Sequence, residues 1–411
     1  MKRMILLLTV VLASQVSAAP LHLDLEMTSE EYQKLLQKIE SNNQKAFKAD
    51  EPAIVNALKI GSRLSQWIAL VNQNRSPETA IRLTSAATRR GIPIDKPNMY
   101  SPSIIENDTR KILNELPKTM KDVLLATTEL PTTIGIDDET FIVNARKVDR
   151  NYQSAARYKG VDQYRSEYIK AANKDVRGYY YLMTNKIGEI ELSNVATIPA
   201  SQVEKIKKSL TQMCLNGTGN LTRCKKEVTK AFSKNTLDET YKRYIKAAKR
   251  TWDDFFKIPP YGRRHDFKWS DAVATVPFNT PEIPKFIPYL QVNIEDEFRW
   301  NNWRLKINFG HYPNGPLLKF EPGVVPHVNE LGGNEIVMDS NQPIEEYESQ
   351  WTIRHEFGHI IGLPDCYHEF YDVQASAYVN YQLDTTDLMC SRAGNMNERI
   401  YLELKSAYSR Y

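Results

Sequence analysis

Apolar residues recur at helical spacing through most of the first 175 positions, and the alternation expected of strands enters only later. Tyr32, Leu35, Leu36 and Ile39 share one helical face, behind the capping-box pair Thr28 and Glu31. Similar stripes predict helices over Ala53–Asn72, Ile104–Leu116 and Glu139–Arg157. Ser76 and Pro77 have the form of a cap and first-turn proline, predicting a further helix that stops at Gly91 before Pro93. From about Arg177 the texture changes. Tyr179–Met183 and Glu189–Leu192 read as a strand pair across Asn185–Gly188. A long helix follows over Leu237–Phe256, with Tyr241, Tyr244, Ile245 and Ala248 on one side. Two alternating runs come next, Leu290, Val292 and Ile294, then Trp303, Leu305, Ile307 and Phe309, with Asn301–Asn302 as the turn. A last strand, Asn334–Met338, precedes a helix that opens near Pro343 with Glu345, Glu346 and Glu348 in its first turns. The pattern predicts an α+β chain in two parts, a helical region over 19–175 and a mixed domain over 176–411.

The extreme N-terminus departs from this pattern. Lys2 and Arg3 precede the apolar run Met4–Ala13, and Val16-Ser17-Ala18 offers small residues for cleavage, so residues 1–18 read as a secretory signal. No later stretch is long and apolar enough to span a membrane, which points to a secreted or periplasmic protein. Four cysteines in an exported chain suggest two disulfides, Cys214 with Cys224 and Cys366 with Cys390, paired by proximity. A net charge of +4 argues against a nucleic-acid partner. The charge is unevenly spread: from Pro322 to Tyr411 there are 14 Asp/Glu against 5 Lys/Arg. Such a field favours a cation and basic substrates, or simply attracts the basic upstream part.

Candidate chemistry is concentrated in Trp351–Cys366. His355 and His359 lie four residues apart, so on a helix both imidazoles project from one face and can grip one zinc ion. Gly362 can end that helix, Pro364 prevents its resumption, and Asp365 supplies an oxygen ligand. Zinc lowers the pKa of bound water from about 16 towards neutrality, and Glu356 is placed to take the proton as general base. Three protein ligands with an open fourth position describe a hydrolytic site. Glu369 or His368 as third ligand, and Cys366 as a metal ligand, are alternatives. His265, His311 and His327 stand alone and read as structural.

The series His355-Glu356-x-x-His359-x-x-Gly362-x-x-Asp365 resembles the extended motif of the metzincin zinc endopeptidases, in the variant where Asp replaces the third His. With Leu363-Pro364 before the Asp, it is most similar to the snapalysin group of secreted bacterial proteases. The resemblance implies a methionine turn at Asp387-Leu388-Met389-Cys390-Ser391, with Met389 as the methionine, and a closing helix over Asn397–Tyr411. It also implies that Asn334–Met338 forms the cleft's upper rim, to which a peptide substrate adds as a strand. Ser391 stands where many metzincins carry an oxyanion-assisting Tyr; Tyr378 and Tyr381 are the candidate substitutes. The resemblance says nothing of the chain before Arg177, for which scaffold, pro-segment and binding module remain open. The expectation is a zinc-dependent endopeptidase acting on protein or peptide substrates. Its rival is a non-catalytic, zinc-stabilised protein whose helical part binds envelope material.

Overall fold

The computed structural model describes residues 52–76, 78–83, 98–342 and 347–409. The expected signal segment, the Thr28–Glu31 box and the side chains of Glu345, Glu346 and Glu348 lie outside what is described. Helix α1, Pro52–Asn72, buries Ile54, Leu58, Gly61, Leu64, Trp67, Ile68 and Val71, the stripe that its periodicity predicts. The helix expected from Ser76 does not form over the described residues. Instead the Asn72 amide bonds both backbone groups of Ile81, at 2.8 and 2.9 Å, and draws that segment back along α1.

A short strand, β1 (Asn98–Tyr100), leads into α2 (Pro102–Glu115), whose Ser101 cap accepts from the Ile104 N–H with Pro102 at the first position. Helices α3 (Lys118–Leu125) and α4 (Asp138–Asp162) follow, the second capped by Asp137. The four helices enclose two apolar clusters, one of which also takes in Tyr378 from the far end of the chain. After α5 (Arg165–Ala171) the chain stays helical, contrary to the expected strand pair. Tyr179–Met183 lies in α6 (Arg177–Thr184) and Glu189–Leu192 forms the one-turn α7. The reason is visible at Gly178 and Leu182, four residues apart and both buried; a Cβ at Gly178 would meet the Ser209 backbone of a helix packed against it. The supposed hairpin turn is a helix stop, with Lys186 left-handed at φ 54° and the Ile187 N–H bonded to Leu182 O. Helices α8 (Ala200–Thr218), α9 (Leu221–Ser233) and α10 (Leu237–Asp254) complete a bundle with its own core, tied by the disulfide Cys214–Cys224.

Strands begin in earnest with β2 (Val273–Asn279), which is followed by α11 (Phe286–Leu290) and one wide turn of π-helix over Gln291–Glu295. This replaces the expected strand through Leu290, Val292 and Ile294. Leu290 and Ile294 satisfy both a two-residue and a helical period, and Val292, the residue that separates the two, is 39% exposed. Asn301, at φ 51°, makes the turn as expected, but the strand before it is only β3 (Arg299–Trp300), hairpinned to β4 (Trp303–Gly310). Then come β5 (Leu317–Glu321), β6 (His327–Val328), β7 (Glu335–Asp339), helix α12 (Tyr347–Ile360), β8 (Tyr367–Asp372), β9 (Ala377–Gln382) and α13 (Glu398–Tyr408), which Asn397 caps.

The result is a mixed α+β fold with three three-stranded sheets. β2 and β4 pair in parallel, with β3 beside β4; β5 and β7 pair in parallel, with β6 antiparallel on the other side of β7. The third sheet joins the ends of the molecule, because β1 pairs antiparallel with β9, and β9 with β8. A single large core lies between the first two sheets, α12 and α13.

Candidate metal centre

From Ser349 to Ile360 helix α12 is buried on every side, although about half of these residues are polar. Ile353, Phe357 and Ile360 belong to the main core, and Arg354 is fixed from below by Asn293 Oδ1 at 2.8 Å and Glu297 at 3.2 Å. The helix ends in a Schellman motif: Leu363 N–H bonds Gly358 O, Gly362 N–H bonds His359 O, and Gly362 stands at φ +86°. The backbone reversal that follows carries Asp365 back over the last turn.

Both imidazoles are held by their Nδ1 atoms. His355 Nδ1 lies 2.8 Å from Leu388 O and His359 Nδ1 lies 2.8 Å from Leu363 O. Carbonyl partners require N–H at Nδ1, so in the neutral imidazole the lone pair is on Nε2. The two Nε2 atoms converge on Asp365 Oδ1, at 3.0 and 3.2 Å. Donors about 2.05 Å from a tetrahedral zinc ion stand about 3.3 Å apart, so this spacing fits the ion with little movement. The donor set therefore fits a divalent metal such as zinc. The charges of His359 and Asp365 also act on each other. Burial opposes a charge on His359, but the Asp365 carboxylate outweighs it and lifts His359 to about 9. Burial likewise opposes the Asp365 charge, and the two imidazoles overcome it and hold the carboxyl well below its usual range.

Glu356, next to His355, is buried and makes no hydrogen bond among the described residues, while its charge acts on His359. Beneath the helix sits Met389. A Cβ at Gly358 would collide with its Sδ, so the glycine inside the motif is what lets the methionine approach. The turn around Met389 is fixed by buried Asp387, which accepts from the Met389 N–H at 2.9 Å and from Asn397 and Arg399. Cys366 and Cys390 are joined, so the neighbouring group Cys366, Asp387 and Cys390 is a closed disulfide beside a carboxylate and Cys366 is no metal ligand.

The alternative ligands are engaged elsewhere. His368 bonds Tyr381 and Ala171 O, and Glu369 is taken by Arg157, Tyr100 and Asn380. His265, His311 and His327 are exposed and apart from the cluster. Tyr378 and Tyr381 give their hydroxyls to Asp162 and Asp175. The phenol beside the centre is Tyr367, whose ring stacks on His355 at 6.4 Å and whose hydroxyl feels the Asp365 charge. A cavity of about 240 Å³ opens next to it, lined by Asp365, Tyr367, Arg157, Tyr168 and Lys174 among others. Tyr367, Arg157 and Gly358 escape sequence reasoning, though a glycine in mid-helix is a signal that could have been read.

One expectation about the rim changes. β7 is the middle strand, bonded to β5 along its length and to β6 at Ile336 and Val337. The open edge on that side is β6, His327–Val328, which packs beside α12. No protein-family model, curated protein or solved structure matches this chain.

Proposed function

We propose that the chain is a zinc-dependent endopeptidase of metzincin type with an aspartate as third ligand, similar to the snapalysin group. The observation that carries this reading is the convergence of His355 Nε2, His359 Nε2 and Asp365 Oδ1 beside a buried carboxylate with no partner of its own among the described residues. A zinc ion held by those three atoms would supply Lewis acidity, making water acidic enough to ionise near neutral pH and polarising a carbonyl. The protein's own groups do the rest. Leu388 O and Leu363 O fix the tautomer and aim of the two imidazoles. Glu356 takes a proton from the attacking water and returns it to the leaving amine. An extended peptide pairs with the free edge of β6 through its backbone, which sets the scissile bond in line without reading side chains.

A structural zinc site has four protein ligands and needs no base. Three donors with Glu356 alongside therefore favour hydrolysis over a purely stabilising metal. The two disulfides fit an oxidising compartment, and among the described residues no helix is long and apolar enough to cross a membrane. The decisive experiment is casein hydrolysis by the wild type and by Glu356→Gln, with zinc measured in both. The variant is expected to keep its zinc and to lose about 10²–10⁴-fold in turnover, the usual worth of a general base. Equal turnover would remove Glu356 from its role, and hydrolysis unaffected by a chelator would remove the metal from it.

A further inference from the structure

The strand that follows Asp365 is gripped by a residue more than two hundred positions earlier. Asp365, Tyr367 and Glu369 alternate along the entry to β8, so the three share one side of it. Arg157, from α4, meets that side. Its Nε donates to Glu369 Oε1 at 3.0 Å, and its Nη2 donates to Glu369 Oε2 and, at 3.3 Å, to the Tyr367 hydroxyl. Glu369 is held from two more directions, by the Tyr100 hydroxyl of β1 and the Asn380 amide of β9. Tyr367 in turn lies parallel to the His355 ring, 21° between planes, with its hydroxyl near Asp365.

We propose that Arg157 is a positioning residue for the metal centre, locking Tyr367 and Glu369 so that Asp365 arrives at the two imidazoles. This rests on reading His355, His359 and Asp365 as metal ligands. Asp365 follows a proline and a left-handed glycine, in a connection with no helix or strand of its own to fix it. The disulfide and the Cys366 N–H bond to Met389 O hold the backbone one residue on. A planar guanidinium that binds a carboxylate through two donors adds orientation to the side chains on the Asp365 side. On this view the helical half is a permanent wall of the centre, and a covering segment that is later removed would take the centre's geometry with it.

The test uses the full chain and two readouts other than activity: zinc affinity by competition with a chromogenic chelator, and the visible spectrum of the cobalt-substituted protein. Arg157→Ala is expected to bind zinc about 10–100-fold more weakly, the usual effect of losing an outer partner of a metal site, and to shift the cobalt bands. Arg157→Lys, which keeps the charge without the fork, should recover only part of this. Arg75→Ala, which breaks the exposed Arg75–Asp138 pair in the same half, should bind zinc like the wild type. Wild-type affinity and an unchanged cobalt spectrum in Arg157→Ala would overturn the proposal. If that variant fails to fold, the double variant Arg157→Met with Glu369→Met, which leaves neither charge unmatched, is read by the same criteria. A wild-type chain that binds no zinc, or keeps its affinity after His359→Ala, would instead overturn the metal reading on which the proposal stands.

Discussion

Gly358 shows how one residue serves two neighbours. In an exposed helix, exchanging Gly for Ala stabilises by about 1 kcal/mol. Here the added methyl meets Met389 Sδ inside a packed core, where overfilling costs about 1–3 kcal/mol. The second effect wins, so Gly358→Ala is expected to lower the urea midpoint of unfolding; a raised midpoint would show that the methionine moves aside freely. The proposed helical donors and base were legible because covalent spacing fixes them: His355, Glu356 and His359 sit within about one helical turn wherever the helix forms. Tyr367 and Arg157 were not, since their contact spans 210 positions and exists only after folding.

Among the elements, helices α1, α2 and α4 and strand β4 follow from periodicity alone, because each turns an apolar stripe to one side. The misread segments are short and aromatic, or carry apolar residues at positions that both periods share. Tyr179–Met183 has high strand propensity, but its neighbours α8 and α10 offer a helical groove, and tertiary packing decided the outcome. A strand at β7 was legible and the pairing of both its edges was not, since no local pattern reveals that β6 covers it. The segment from Asp365 to Met389 is an element of another kind, a β8–β9 hairpin closed at its neck by Cys366–Cys390, which are 24 residues apart. Replacing both cysteines with Ala is expected to cost about 3–4 kcal/mol by freeing that loop in the unfolded chain. Chemical denaturation of the double variant measures it, and zinc affinity should fall in parallel because the disulfide braces the residue that follows Asp365.

Across the whole molecule, the helical part and the sheets share buried chemistry. Tyr100 stacks on Tyr378, and Tyr152 donates to Asp339 at the end of β7 across 2.6 Å. Burial pushes the Asp339 carboxyl up to about 6, even though Tyr152, Asn341 and Gly323 all donate to it. A carboxyl raised above its unfolded value of 3.8 binds more protons in the folded state, so its contribution to stability weakens as pH climbs from about 4 through 6. Two pKa units correspond to roughly 3 kcal/mol. Asp339→Asn keeps an acceptor and has no charge to bury, so its stability relative to the wild type should be greatest near pH 7 and shrink towards pH 4. A pH-independent difference between the two proteins would assign the Tyr152 contact to geometry alone. The change from helices to strands was expected near Arg177 and comes only after α10, with β2 at Val273–Asn279. The pairing of β1 with β9 was not legible at all, since a three-residue strand leaves no periodic trace.

The hairpin that separates Asp365 from Met389 also offers a place for engineering. Its tip, Val373 to Ser376, is exposed, and the disulfide at its base keeps the two ends together whatever the length between them. A fluorescent or affinity tag spliced between Gln374 and Ala375 would hang outside the molecule, beyond the β8–β9 ladder. It would report on the assembly of the centre without entering it.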